Sequence, residues 1–233
     1  MKRITLIVGH YGSGKTEFSV NLAIDLRKKY KKAAILDLDI ANPYFRSRER
    51  KRVLEANGVD VHFNSYGHDI TEDLPAISAT IKAPLENRSY MTVADVGGND
   101  SGARILNQFE KYFKGNDCDM FCVINANRPE TSTVESAKRH IRMIEEETGL
   151  RVTGLINNTH LLRETEVSDI LDGYRLCKTL SQILDVPLVW NVCVKELVLE
   201  LGEEKDRRGL DDLIIYPIEL YMRPEWLDAK VGS

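Results

Sequence analysis

Gly9-His10-Tyr11-Gly12-Ser13-Gly14-Lys15-Thr16 fits the pattern G-x-x-x-x-G-K-[ST] and directly follows the apolar run Ile4-Thr5-Leu6-Ile7-Val8. A segment with Phe18, Leu22, Ala23 and Leu26 at helical spacing comes next. Strand, glycine loop and helix in that order make a phosphate-binding P-loop. Glycines let the backbone curl so that successive N–H groups point inward at phosphate oxygens. The helix start adds its partial positive charge. In this reading Gly9, His10, Tyr11, Gly12, Ser13 and Gly14 form the cradle, Lys15 reaches the β- and γ-phosphates, and the Thr16 hydroxyl ligates Mg²⁺. The bare pattern arises by chance in roughly one chain in a hundred of this length, and the flanking elements make coincidence rarer still.

A dinucleotide fingerprint is the rival, because Asp37 ends a second apolar run about 20 residues downstream. That fingerprint needs G-x-G-x-x-G, and counting from Gly12 its third glycine falls on Glu17. The P-loop reading wins.

Working outward, apolar runs alternate with helical patterns along most of the chain. Strands are expected at Arg3–Val8, Ala33–Leu38, Val59–Phe63, Tyr90–Val96, Met120–Asn125, Val152–Asn157 and Leu188–Val194. Helices are expected at Lys15–Tyr30, Tyr44–Ala56, Leu74–Ile81, Ala103–Phe113, Ser132–Thr148 and Val167–Leu184. Near-continuous apolar strands separated by helices predict an α/β fold, a doubly wound, mostly parallel sheet covered on both faces. One domain over residues 1–233 is expected, with an irregular segment from about 195, where Gly202, Gly209, Pro217 and Pro224 act as breakers. The basic run Arg46, Arg48, Arg50, Lys51 and Arg52 reads as a solvated helix face rather than an anion-binding patch.

Composition bounds the function. Charged residues are 29% and hydrophobic ones 42% of 233, ordinary for a globular chain, and the net charge of −4 argues against nucleic acid as the main partner. No stretch approaches the ~20 apolar residues of a membrane span. The apolar run after Lys2 and Arg3 stops at Gly9, too short for a signal peptide. Cys118, Cys122, Cys177 and Cys193 form no C-x-x-C pair and read as buried thiols in a reducing compartment. A cytoplasmic location is the expectation.

Polar residues at three further strand ends belong to the same carboxyl edge, where α/β ligand sites form. Asp37 and Asp39 close the second strand with one residue between them, on one side of the chain if it stays extended. One suits the water shell of Mg²⁺ and the other the attacking water. Asp95 follows Met91-Thr92-Val93-Ala94 in a Walker B arrangement and suits the metal shell. A lone strand-end Asp is as often a helix cap, but three beside a P-loop favour the functional reading. Asn157-Asn158 ends a later strand and offers amides to a purine edge, although Asn is also a routine turn residue.

The P-loop, Asp37-x-Asp39, Asp95-Val96-Gly97-Gly98 and the Asn157 strand end together resemble the MinD/ParA branch of P-loop proteins, from about Arg3 to Val194. That branch includes CobB-like and dethiobiotin-synthetase-like amidoligases. The resemblance implies ATP and Mg²⁺ as ligands, Asp37 near the metal, Asp39 orienting the lytic water and Asn157 at adenine. It also implies an ATP-dependent homodimer and a regulatory or assembly role through an unidentified protein partner. The metabolic alternative is phosphorylation of a small carboxylate acceptor, with Arg46, Arg104 and Arg128 as candidate basic groups. The family's signature lysine is replaced here by His10, and the next glycine by Tyr11. His10 then either reaches across a dimer interface or covers the nucleotide within one subunit. The cluster-holding cysteines of other branch members and MinD's basic amphipathic membrane helix have no counterpart in the sequence.

Overall fold

The computed structural model describes residues 1–39, 50–63, 74–98 and 106–222. Its strands are β1 (Ile4–Gly9), β2 (Ala33–Leu38), β3 (Val59–Phe63), β4 (Met91–Val96), β5 (Cys118–Ile124), β6 (Gly154–Asn157), β7 (Leu188–Val194) and β8 (Ile215–Ile218). They form one eight-stranded sheet in the order β3-β2-β4-β1-β5-β6-β7-β8, every pairing parallel. Helices are α1 (Lys15–Lys29), α2 (Lys51–Ala56), α3 (Leu74–Glu86), α4 (Glu110–Phe113), α5 (Val134–Thr148), α6 (Val167–Leu184) and α7 (Val198–Arg208). The expected doubly wound parallel sheet is what the chain forms.

Strand alternation divides the core. Leu6 and Val8 of β1 point to one face, with Ile81, Phe113 and Ile141, while Ile7 points to the other, with Phe18, Leu22 and Ile35. Phe18, fully buried on α1, contributes about 1.5–3 kcal/mol by leaving water and fixes the helix behind the P-loop. Helix α5 starts at Thr133 with a capping box to Ser136 and stops at Gly149, whose φ of 64° lies in the left-handed region. All four cysteines are free and buried, as expected. Among the described residues no helix is long and apolar enough to cross a membrane.

The segment from Lys195 departs from expectation. It forms α7 and then β8, which pairs with β7 at the sheet edge. Gly202 is tolerated inside α7 and Gly209 caps it at φ 63°. Pro217 sits on the edge strand, where a missing N–H costs no ladder bond on the open side. Arg46, Arg48, Arg104 and Pro224 lie outside the described residues.

β1 is central, with β4 on one side and β5 on the other, although the chain visits β2 and β3 in between. This is a topological switch point, and it opens a crevice at the carboxyl ends of the strands. The P-loop begins there.

Candidate functional site

The loop conformation depends on its glycines. Gly9, Gly12 and Gly14 have φ of 144°, 74° and 83°, values that L side chains rarely adopt. A Cβ on Gly9 would stand 2.5 Å from the Val123 carbonyl oxygen, and one on Gly14 would stand 2.2 Å from Asn158 Nδ2. Gly14 caps α1 with no side-chain acceptor. A helix start of this kind is where anions bind. Two neighbours clamp the loop: Arg128 Nε donates to the Gly12 carbonyl at 3.1 Å, and Asn158 Nδ2 donates to that of Ser13 at 2.8 Å.

Lys15 is buried at 5% exposure and donates to the His10 carbonyl at 3.0 Å. Burial lowers its pKa, against the opposing charges of Asp95 and Asp39. The three strand-end aspartates converge beside it, with Asp37, Asp39 and Asp95 all buried. Asp37 and Asp95 are register partners across β2 and β4. Asp95 accepts from the Ser19 hydroxyl at 3.4 Å and from Thr16, while its Oδ2 has no partner. Burial first, then Asp37, pushes the Asp95 carboxyl up to about 7.

Crowded carboxylates with an orphaned buried oxygen are the donor set of a hard divalent cation. Among the described residues, no group of three His, Cys, Asp or Glu is spaced to ligate one ion directly. Mg²⁺ fits this arrangement, because it keeps several waters and takes few protein ligands. Thr16 would hold it, with Asp37 and Asp95 acting on its water.

The P-loop separates two cavities. One, of about 440 Å³, is lined by Tyr11, Gly14, Lys15, Thr16, Asp39 and Arg128, and continues past Asn158, Thr159 and His160 to an apolar end at Val192, Val194, Ile218, Leu220 and Met222. Burial, then the Arg128 charge, lowers the His160 imidazole to about 4. The other cavity, of about 510 Å³, lies against His10, Gly97, Gly98, Glu130, Arg139, His140 and Met143. The two share no lining residue.

Two expectations change in this geometry. Asn157 is fully buried, its amide donating to the Ile170 carbonyl and Asn191 Oδ1, its Oδ1 accepting from the Thr159 N–H and hydroxyl. No capacity is left for a base, and Asn158 lines the cavity instead. Arg128 belongs to the P-loop clamp and the first cavity, not to the second. Glu17 and His160 line the first cavity and His140 the second, although no motif in the sequence marks any of them. His10 packs edge-on against His140 at 5.5 Å and approaches Glu130 Oε2 at 3.5 Å, all within one chain.

A family model described as the CobQ/CobB/MinD/ParA nucleotide binding domain matches residues 4–197. The chain belongs to this family. Solved structures with the same fold include cell division protein FtsY from Thermotoga maritima, with 19% identity and a TM-score of 0.53 over 79% of this chain and 59% of that one. Signal recognition particle receptor FtsY from Elizabethkingia anophelis, in complex with GDP, has 16% identity and a TM-score of 0.51 over 81% of this chain and 56% of that one. The 54 kDa signal recognition particle protein from Aeropyrum pernix K1, also with GDP, has 18% identity and a TM-score of 0.50, over 79% and 40%. The CobQ/CobB/MinD/ParA domain described here thus spans under two thirds of these neighbours. Comparison with curated proteins gave no significant match.

Proposed function

We propose that the protein binds ATP with Mg²⁺ and hydrolyses it, acting as a regulatory or assembly ATPase through a protein partner. The observation that carries this is a P-loop helix without a side-chain cap, whose buried Lys15 lines a 440 Å³ cavity together with Asp39, while Asp37 and Asp95 lie buried as a register pair at the ends of the neighbouring strands.

Mg²⁺, when bound, neutralises charge on the phosphates. The chain supplies the rest. Backbone N–H groups of Gly12, Gly14, Lys15 and Thr16 hold the phosphate oxygens, that of Ser13 donating instead to the His10 carbonyl at 3.1 Å, and Lys15 exchanges its own bond to that carbonyl for charge-assisted bonds to the phosphates. Asp39, buried at the cavity edge, orients water for in-line attack. Base selection favours adenine. A carboxylate would serve guanine's N1–H and N2 amino group, yet the β6 end carries Asn158, Thr159 and His160. The GDP bound by two structural neighbours gives the competing expectation. Phosphate release from ATP and GTP, each with and without Mg²⁺, tests the reading: Mg²⁺-dependent release from ATP with Asp39→Asn inactive supports it. Faster release from GTP, or none from either, contradicts it.

One observation favours a second reading, phosphoryl transfer to a small carboxylate acceptor. The 510 Å³ cavity lies across the P-loop from the first and borders the Walker B glycines. Acceptor-dependent ADP formation without free phosphate would select it. A nucleotide-dependent homodimer is proposed with either reading, and sedimentation with a non-hydrolysable ATP analogue tests it.

A further inference from the structure

Helix α1 carries three polar residues at four-residue spacing, Glu17, Asn21 and Asp25, which puts them on one face. Asp25 holds β8 itself, and Asn21 and Glu17 grip the chain that follows it. The Tyr216 hydroxyl donates to Asp25 Oδ2 at 2.9 Å. Asn21 makes a two-way amide pair with the Glu219 backbone, donating to its carbonyl and accepting from its N–H, both at 2.9 Å. The Glu17 carboxylate accepts from the backbone N–H groups of Tyr221 and Met222. From the other side, Arg50 Nη2 donates to the Met222 carbonyl at 3.2 Å.

The gripped segment is itself a wall. Ile218, Leu220 and Met222 line the same cavity as Lys15, Thr16 and Glu17, and β8 lies four strands away from β1 in the sheet. A segment past the last strand has no ladder to define its position. Here its N–H groups are satisfied by the Glu17 carboxyl, which burial pushes up to about 7 against the two backbone bonds that favour its ionised form. The acceptor directly follows the P-loop threonine in sequence.

We propose that Glu219–Met222 is the base-facing wall of the nucleotide cavity and that Glu17, seconded by Asn21, is the positioning residue that holds it. This rests on the nucleotide reading above. The apolar wall packs on the purine face, whereas the phosphates depend on the loop. Glu17 therefore governs the share of affinity that comes from the base, and the phosphate share is set elsewhere.

Calorimetry with ATP and with inorganic tripolyphosphate separates the two shares. In Glu17→Ala, ATP affinity falls about tenfold, while tripolyphosphate affinity does not fall. Asn21→Ala, at a residue outside the cavity lining, shows the same pattern in weaker form. Glu17→Gln keeps an acceptor oxygen and recovers most of the ATP affinity. Thermal melts establish that each variant is folded, and Asn21→Ala carries the test if Glu17→Ala is not. A parallel loss for both probes, or unchanged ATP affinity in the folded variants, overturns the proposal. Wild-type protein that binds neither probe contradicts the nucleotide reading itself.

Discussion

Asp37 and Asp95 are register partners on adjacent strands, and both are buried, Asp95 completely. Two carboxylates in that relation repel, and Lys15 offsets only part of the repulsion. Under the proposed function a phosphate-bound cation would supply the missing counter-charge. Asp95→Asn is predicted to raise the stability of the metal- and nucleotide-free protein by about 1 kcal/mol, and to abolish the gain in nucleotide affinity given by Mg²⁺. Thermal melts in a chelator and titrations with and without Mg²⁺ measure the two effects.

Asp39 is predicted to act on turnover alone. In the proposed function its carboxylate orients water, an interaction made in the transition state and not in the ground state. Asp39→Asn should lower the steady-state rate by about 100-fold or more, with nucleotide affinity within about threefold of wild type. A loss that falls on affinity would move the role elsewhere.

His140 gives a prediction about acid. Burial, then the His10 and Lys15 charges, lowers its pKa to about 4, with Glu130 opposing. Its Nε2 is buried without a partner. The folded chain keeps this imidazole neutral, whereas the unfolded chain protonates it from about pH 6.5 downward. The unfolded state then binds more protons, so stability falls as pH drops from 6.5 towards 4. His140→Gln should be less acid-sensitive than wild type by about 1 kcal/mol between pH 7.5 and 5, read from urea midpoints. Equal pH slopes would contradict it.

Much of this was legible because the signals are local. The Gly9–Thr16 loop states its backbone requirement in its glycines, and the strand-end aspartates follow unmistakable apolar runs. β8 was missed because Pro217 reads as a breaker, and only its place at the sheet edge makes it tolerable. The Asn157 and Asn158 roles differ by one residue, and which amide faces the cavity depends on how the chain turns after β6. Glu17 and Asn21 look like ordinary helix surface. Their partners are some 200 residues away, a separation no local pattern reports.

The central claim is that the P-loop binds a nucleoside triphosphate through Lys15. Calorimetric titration of Mg-ATP into wild-type and Lys15→Ala protein tests it most directly. The account predicts saturable one-to-one binding to wild type and an affinity at least 100-fold weaker for Lys15→Ala, the variant keeping a wild-type circular dichroism spectrum. Equal affinity for the two proteins, or no binding to wild type, would contradict it.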